Sequence, residues 1–265
     1  MLVNEQREFL LCAIAKVATT NWKKIMVLLK GNETKFTSPE SIPFRFVHTA
    51  STFPISRVGQ MPVVRQRMRD YYKFMFVREP FERLISAYFE VLNTKEHRKL
   101  NDEIKKKYQS LWSPAPYLND VRTLFGNRSC TFPQFVQYVI DSRSAGQQLD
   151  PHWRPQTEYC RPCDIKYDFI GHYETLVPDA NYVLGVIRSR NSKHTNGSTV
   201  SEFPEPEKWR YRRAGSFVER LWATLSVESQ KGLLETYKYD YELFDYKRPQ
   251  LKKNWHVHAR SNYPA

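Results

Sequence analysis

Two short runs that are almost entirely apolar, Phe9-Leu-Leu-Cys-Ala-Ile14 and Tyr72-Lys-Phe-Met-Phe-Val77, constrain this chain more than any other feature. Runs of this length without polar alternation suit strands buried on both faces. Apolar residues at helical spacing follow each one: Trp22, Ile25, Met26 and Leu29 behind the first, then Phe81, Leu84, Ile85, Tyr88 and Leu92 behind the second. In that second helix Arg83, Ser86 and Glu90 fall off the apolar face. Gly31 suits the stop of the first helix and Pro80 the first turn of the second. Strand, turn and helix in repetition predict an α/β fold with a largely parallel sheet.

Further strands are expected over residues 44–48 (Phe-Arg-Phe-Val-His) and 166–171, and helices over 63–71, 132–141, 180–187, 217–225 and 227–237. The charge-rich stretch 94–108 reads as a solvated helix or an insertion. A chain of 265 residues with 41% hydrophobic content can bury one sizeable core, so a single domain over residues 1–265 is expected. No apolar run reaches the about 20 residues of a membrane span, and the N-terminus lacks a signal-peptide pattern. As given, the sequence reads as soluble, with any targeting segment outside it.

Lys and Arg number 41 against 28 Asp and Glu, and the formal charge of +13 favours a polyanionic partner: nucleic acid, acidic polysaccharide or nucleotide. Sequons at Asn32, Asn127 and Asn196 point to the secretory pathway, where Cys12, Cys130, Cys160 and Cys163 would permit two disulfides. The Cys160-Arg-Pro-Cys163 pair lacks the second ligand pair of a zinc site, and Pro162 with the strand-like residues after it does not suit a redox motif. A structural role is expected for both cysteines.

Chemistry concentrates in two strand-to-helix turns. Ala15-Lys-Val-Ala-Thr-Thr-Asn-Trp22 offers helix N-terminal N–H groups, two hydroxyls and a lysine, which suit a phosphate or phosphosulfate. No Walker A pattern is present. Alternatively, Thr20 caps the helix and Lys16 is merely solvated. In the second turn, Arg78 at a strand end and Ser86 two helical turns later can reach one anion. Alternatively, Arg78 pairs with Glu82 and Ser86 only packs. Together the turns imply a ligand with two separated phosphates.

Lys16-Val-Ala-Thr-Thr-Asn-Trp-Lys23 and Phe76-Val-Arg-Glu-Pro-Phe-Glu-Arg-Leu-Ile-Ser-Ala-Tyr88 resemble the 5′-phosphosulfate and 3′-phosphate motifs of the Golgi carbohydrate sulfotransferases. The group that includes the chondroitin and dermatan 4-O-sulfotransferases and the HNK-1 sulfotransferase is the most similar. The resemblance continues through His152-Trp153, Cys160-Arg-Pro-Cys163, residues 167–184 and Tyr239-Asp-Tyr-Glu-Leu-Phe-Asp-Tyr246. Ala15 and Thr19 depart from it, since the family usually has proline and cysteine there. The family's N-terminal anchor and stem are also absent from this sequence.

The resemblance implies the P-loop-NTPase-like fold of sulfotransferases that use 3′-phosphoadenosine 5′-phosphosulfate (PAPS), with no metal required. It implies that Lys16 stabilises the leaving group while Val17, Ala18, Thr19, Thr20, Asn21 and Trp22 surround the phosphosulfate. Trp22 also fits the core at its helical spacing. Arg78 and Ser86 are assigned to the 3′-phosphate, and Arg210 and Arg212 to a loop covering the cofactor. His48 is the expected base, with His152 as the alternative. The implied acceptor is an anionic glycosaminoglycan, foremost N-acetylgalactosamine 4-O in chondroitin or dermatan. Terminal glucuronate or N-acetylgalactosamine of glycoproteins is the alternative. The implied location is the Golgi lumen, with membrane attachment only through an anchor outside this sequence. Two other classes are a basic nucleic-acid-binding module and a glycan-binding protein without catalysis. No nucleic acid partner is expected, because no RNA-recognition, zinc-finger or helix-turn-helix signature is present.

Overall fold

The two apolar runs are neighbouring strands. The computed structural model describes residues 1–29, 35–49, 61–92, 94–111, 130–190, 200–205 and 215–252. Leu2–Asn4 (β1) lies antiparallel to Phe9–Cys12 (β2), β2 pairs in parallel with Tyr72–Val77 (β3), and β3 in parallel with Phe169–His172 (β4). The sheet order is β1-β2-β3-β4. The sheet is largely parallel, as expected, with an antiparallel edge strand too short to show in the sequence pattern. Every residue of β2 is buried, and so is β3 after Tyr72, as the apolar runs require.

The chain divides into two units, Met1–Glu79 with Gln156–Lys208, and Pro80–Pro155 with Trp209–Ala265. In the first unit the sheet is accompanied by helices Thr19–Leu28 (α1), Phe44–Val47 (α2) and Met61–Asp70 (α3). Helix α1 is anchored by Trp22, 1% exposed, whose ring lies 4.9 Å from Phe74, 5.2 Å from Phe76 and 4.9 Å from Phe203. Residues 44–48 are not a strand. Pro43, with φ of −61°, leads into the single helical turn α2, and Phe44 and Phe46 are both exposed rather than packed in a sheet. Gly171 in β4 has a packing reason, because a methyl there would collide with the Phe76 ring.

The second unit holds Pro80–Glu90 (α4), Arg98–Lys107 (α5) and Phe132–Ser144 (α6). Helix α6 begins with a capping box between Thr131 and Gln134. Helix α4 is buried almost all round: Arg83 is 1% exposed and Ser86 2%, contrary to the amphipathic reading. Arg83 tolerates burial because its guanidinium donates to the carbonyls of Arg154 at 2.8 Å and Pro151 at 3.0 Å. The aromatic core joins Phe81, Phe132 and Trp222, and Tyr88 donates to the Cys130 carbonyl at 2.7 Å.

Gln156–Cys160 (α7) and Leu176–Ser189 (α8) belong to the first unit, and Gly215–Ala223 (α9), Val227–Thr236 (α10) and Lys238–Leu243 (α11) to the second. Cys160 is bonded to Cys12, 148 residues away, at the end of β2. Among the described residues Cys130 and Cys163 are free, so one disulfide forms where the cysteine count permitted two. No described helix is long and apolar enough to cross a membrane.

Closing a loop this long restricts the unfolded chain strongly. Replacing Cys12 and Cys160 together by serine is expected to lower unfolding free energy by roughly 5 kcal/mol, on the chain-entropy model. Urea denaturation beside a Cys163→Ser control measures the change, and matching midpoints would show that the bond contributes nothing.

Candidate active site

Strands β2 and β3 run in the same direction with Cys12 opposite Met75, so the chain leaves both at one edge of the sheet. That edge is where parallel α/β sheets bind ligands. Residues 13–18 leave β2 there, and Arg78 and Glu79 leave β3.

The first turn is held in an unusual backbone conformation. Lys16 and Ala18 have φ of 71° and 62°. Each costs an L-residue roughly 1–2 kcal/mol, so the turn must be fixed by its surroundings. Successive N–H groups converge in turns of this kind and favour anions. The Thr19 hydroxyl donates back to the Ile14 carbonyl and closes the turn. Val17 is 2% exposed, its side chain buried in the core. Ala18 occupies the N-cap of α1 and makes no side-chain capping bond, so Thr20 is not the cap. The first N–H groups of α1 have no acceptor within the helix, which makes this end electropositive.

His48 reaches the same turn. It caps the C-terminus of α2, stacks on Phe44 with ring centroids 4.3 Å apart, and lies with Nε2 3.2 Å from Thr20 Oγ1. Half-buried Asn21 stands next along α1. Trp22 presents no face to a ligand; the Phe74, Phe76 and Phe203 cluster encloses it.

Arg78 is 2% exposed. Its guanidinium carbon sits 4.3 Å from the centre of the Tyr173 ring, and Nη1 donates to the Lys16 carbonyl at 3.4 Å. The cation thus meets the neighbouring turn directly. Its backbone is clamped by Gln156, 0% exposed: the Arg78 N–H donates to Gln156 Oε1 at 3.0 Å, and Gln156 Nε2 donates to the Arg78 carbonyl at 2.9 Å. Gln156 opens α7, whose last residue, Cys160, is bonded to Cys12. The Glu79 N–H donates to Glu174 at 3.0 Å. Gln156 and Tyr173 escape sequence reasoning, because a neutral amide and a tyrosine far along the chain match no anion-binding pattern.

Lys16, Thr19, Thr20, Asn21, His48 and Arg78 all belong to the first unit, whereas Ser86 and His152 belong to the second. Ser86 donates to Glu90 Oε1 at 3.2 Å. His152 Nδ1 lies 2.7 Å from Asp150 Oδ1. Burial pushes the Asp150 carboxyl up, but hydrogen bonds from the His152 ring and backbone, with the charges of His152 and His97, hold it below its usual range. Arg210, Arg212 and the sequons at Asn32, Asn127 and Asn196 lie outside the described residues.

An edge with a lysine, a buried guanidinium and an uncapped helix start fits a nucleotide carrying two anionic groups. A model of the sulfotransferase family matches residues 1–247, which run through both units. Carbohydrate sulfotransferase 11 of Rattus norvegicus is 33% identical over 255 residues, covering 96% of this chain and 68% of the relative. Carbohydrate sulfotransferase 14 of Danio rerio is 33% identical over 260 residues, covering 97% and 65%, and carbohydrate sulfotransferase 10 of Danio rerio is 32% identical over 268, covering 96% and 68%. No solved structure matches at comparable stringency. Agreement of this extent settles what the edge of the sheet alone leaves open: the chain belongs to the sulfotransferase family and is a PAPS-dependent enzyme of its α/β fold.

Proposed function

We propose that this enzyme sulfates a sugar hydroxyl at the carboxyl edge of β2 and β3, the acceptor being N-acetylgalactosamine 4-O in chondroitin or dermatan. PAPS supplies the sulfuryl group: the acceptor oxygen bonds to sulfur as the bond from sulfur to the 5′-phosphate oxygen breaks. The observation that carries the reading is the meeting of the Lys16 turn and Arg78, joined through Nη1 and the Lys16 carbonyl at 3.4 Å. Lys16 and the first N–H groups of α1 offset charge on the departing phosphate oxygen. Arg78 binds the 3′-phosphate. Ser86 is assigned to the same phosphate on the motif alone, as are Arg210 and Arg212 to a covering loop.

His48 takes the acceptor proton, and Thr20 orients its ring. The 3.2 Å contact between them supports this choice over His152, whose Nδ1 lies 2.7 Å from Asp150 Oδ1. A histidine base works in its neutral form, so turnover should fall as pH drops through the range where imidazole protonates.

The acceptor rests on the carbohydrate sulfotransferase names of the relatives and on the net charge of +13, which attracts uronate- or sulfate-bearing chains. A Golgi-lumenal location with attachment through an N-terminal anchor accords with the Cys12–Cys160 bond, since disulfides persist in oxidising compartments. The single-domain reading accords with a family match spanning both units.

Incubation with radiolabelled PAPS and desulfated chondroitin, dermatan or heparan tests the reading. Transfer is expected to chondroitin and dermatan; folded protein that labels no glycan would overturn it. Lys16→Ala is expected to reduce kcat about 100- to 1,000-fold, as removal of a transition-state charge stabiliser does. Arg78→Ala is expected to weaken adenosine 3′,5′-bisphosphate binding by about tenfold or more while barely changing adenosine 5′-phosphosulfate binding. Calorimetry with both nucleotides gives the comparison. His48→Ala should lower kcat/KM about 100-fold or more and remove the acidic limb of its pH profile. Normal turnover there, with loss in His152→Ala, would transfer the base role to His152.

A further inference from the structure

The second unit carries a side-chain cluster to which the proposed mechanism, with His48 as base, gives no part. His97 and His152 converge on Asp150, and one ligand atom from each lies within 4.8 Å of those of the other two. His97 Nε2 is 3.7 Å from Asp150 Oδ2, and His152 Nδ1 is 2.7 Å from Asp150 Oδ1. Ligands about 2.1 Å from a tetrahedral ion stand about 3.4 Å apart, and since the two contacts run to different carboxylate oxygens, modest side-chain rotations would bring all three residues to one ion. The longer one exceeds a normal hydrogen bond and leaves a gap between His97 and the carboxylate.

The surroundings set the cluster in advance. Thr94 Oγ1 lies 3.1 Å from His97 Nδ1 and so directs the opposite nitrogen toward Asp150. An oxygen on the remote nitrogen is the usual support of a metal-binding histidine. The Asp150 carbonyl accepts from the N–H groups of Trp153 at 3.0 Å and Arg154 at 2.8 Å, fixing the turn that bears both Asp150 and His152. Buried Arg83 holds that turn through the Pro151 and Arg154 carbonyls, and Trp153 is 1% exposed. The ligands themselves stay accessible, with side-chain exposures of 21% for His97, 31% for Asp150 and 37% for His152.

We propose that His97, Asp150 and His152 form a binding site for one divalent transition-metal ion of the zinc class, its remaining coordination completed by water. Two imidazoles with one carboxylate favour such borderline ions over calcium or magnesium, which prefer all-oxygen ligands. The ion replaces the direct 2.7 Å contact between His152 Nδ1 and Asp150 Oδ1, and it joins the segment after α4 to the turn before Trp153. Its role is to secure that junction within the second unit.

The test uses the full chain without a polyhistidine tag, carrying Cys163→Ser to remove an exposed thiol that would compete for metal, and stripped with chelator. Titration with Zn2+ by calorimetry should show one saturable site per chain and a Tm raised by a few degrees. Co2+ should give the visible bands of a tetrahedral site. His97→Ala and Asp150→Asn should each weaken Zn2+ binding at least tenfold, and Thr94→Ala by about tenfold through loss of support to His97. Absence of Zn2+ uptake by protein with native near-ultraviolet circular dichroism would overturn the site. Unchanged uptake in the His97→Ala/Asp150→Asn double variant would overturn it equally.

Discussion

Because β2 and β3 lie side by side and point the same way, with Cys12 opposite Met75, the turns that follow them emerge at one edge of the sheet. Reversing either strand would send its turn to the opposite edge and separate Lys16 from Arg78 by the length of a strand. Burial of both strands holds this register, since a slip of one residue would exchange the faces their side chains occupy. The antiparallel strand β1 covers the outer side of β2 and leaves the ligand edge unchanged.

The turn after β2 shows how much local strain the surroundings absorb. Glycine would be the ordinary residue for positive φ, yet lysine and alanine occupy those positions. Glycine, without a Cβ, would make the turn easier to form and less definite. With side chains present, the conformation is retained because both ends are fixed: β2 is hydrogen-bonded on both sides, and Trp22 pins the first turn of α1 among Phe74, Phe76 and Phe203. Thr19 closes the middle onto Ile14. Donors fixed in this way need no reorganisation when charge develops on a ligand, which is the condition under which they stabilise a transition state most.

The parts of the fold written in local pattern were legible. Residues 72–77 form one strand as the apolar run predicts, and the helices behind both strands begin within a few residues of their expected starts. Residues 44–48 mislead because Phe-Arg-Phe-Val alternates like a half-buried strand, and only tertiary context decides that four residues after a proline form a helical turn. His48 was nevertheless marked by its place between the two motifs, and α2 delivers it to Thr20. Trp22 was ambiguous, since helical spacing states that one face is buried but not whether a ligand shares it. Gln156 was invisible: what qualifies it is a pair of hydrogen bonds to one residue 78 positions earlier.

The cysteines show the same limit and its consequence for the site. The local spacing of Cys160 and Cys163 draws attention to a pair, while the bond formed is to Cys12. That bond links the end of β2 to the end of α7, and α7 opens with the residue that clamps the Arg78 backbone. One covalent closure therefore secures the base of the Lys16 turn and the brace of Arg78 at once. Cys130 poses no threat to it, because burial lifts its thiol to about 12 and leaves almost no nucleophilic thiolate. Cys163 is free, exposed and only three residues from Cys160, so its thiolate is the nearby group that could exchange with the bond. Loss of the Cys12–Cys160 bond would therefore loosen the start of the Lys16 turn and the Gln156 clamp on Arg78 together, so the two turns depend on one closure.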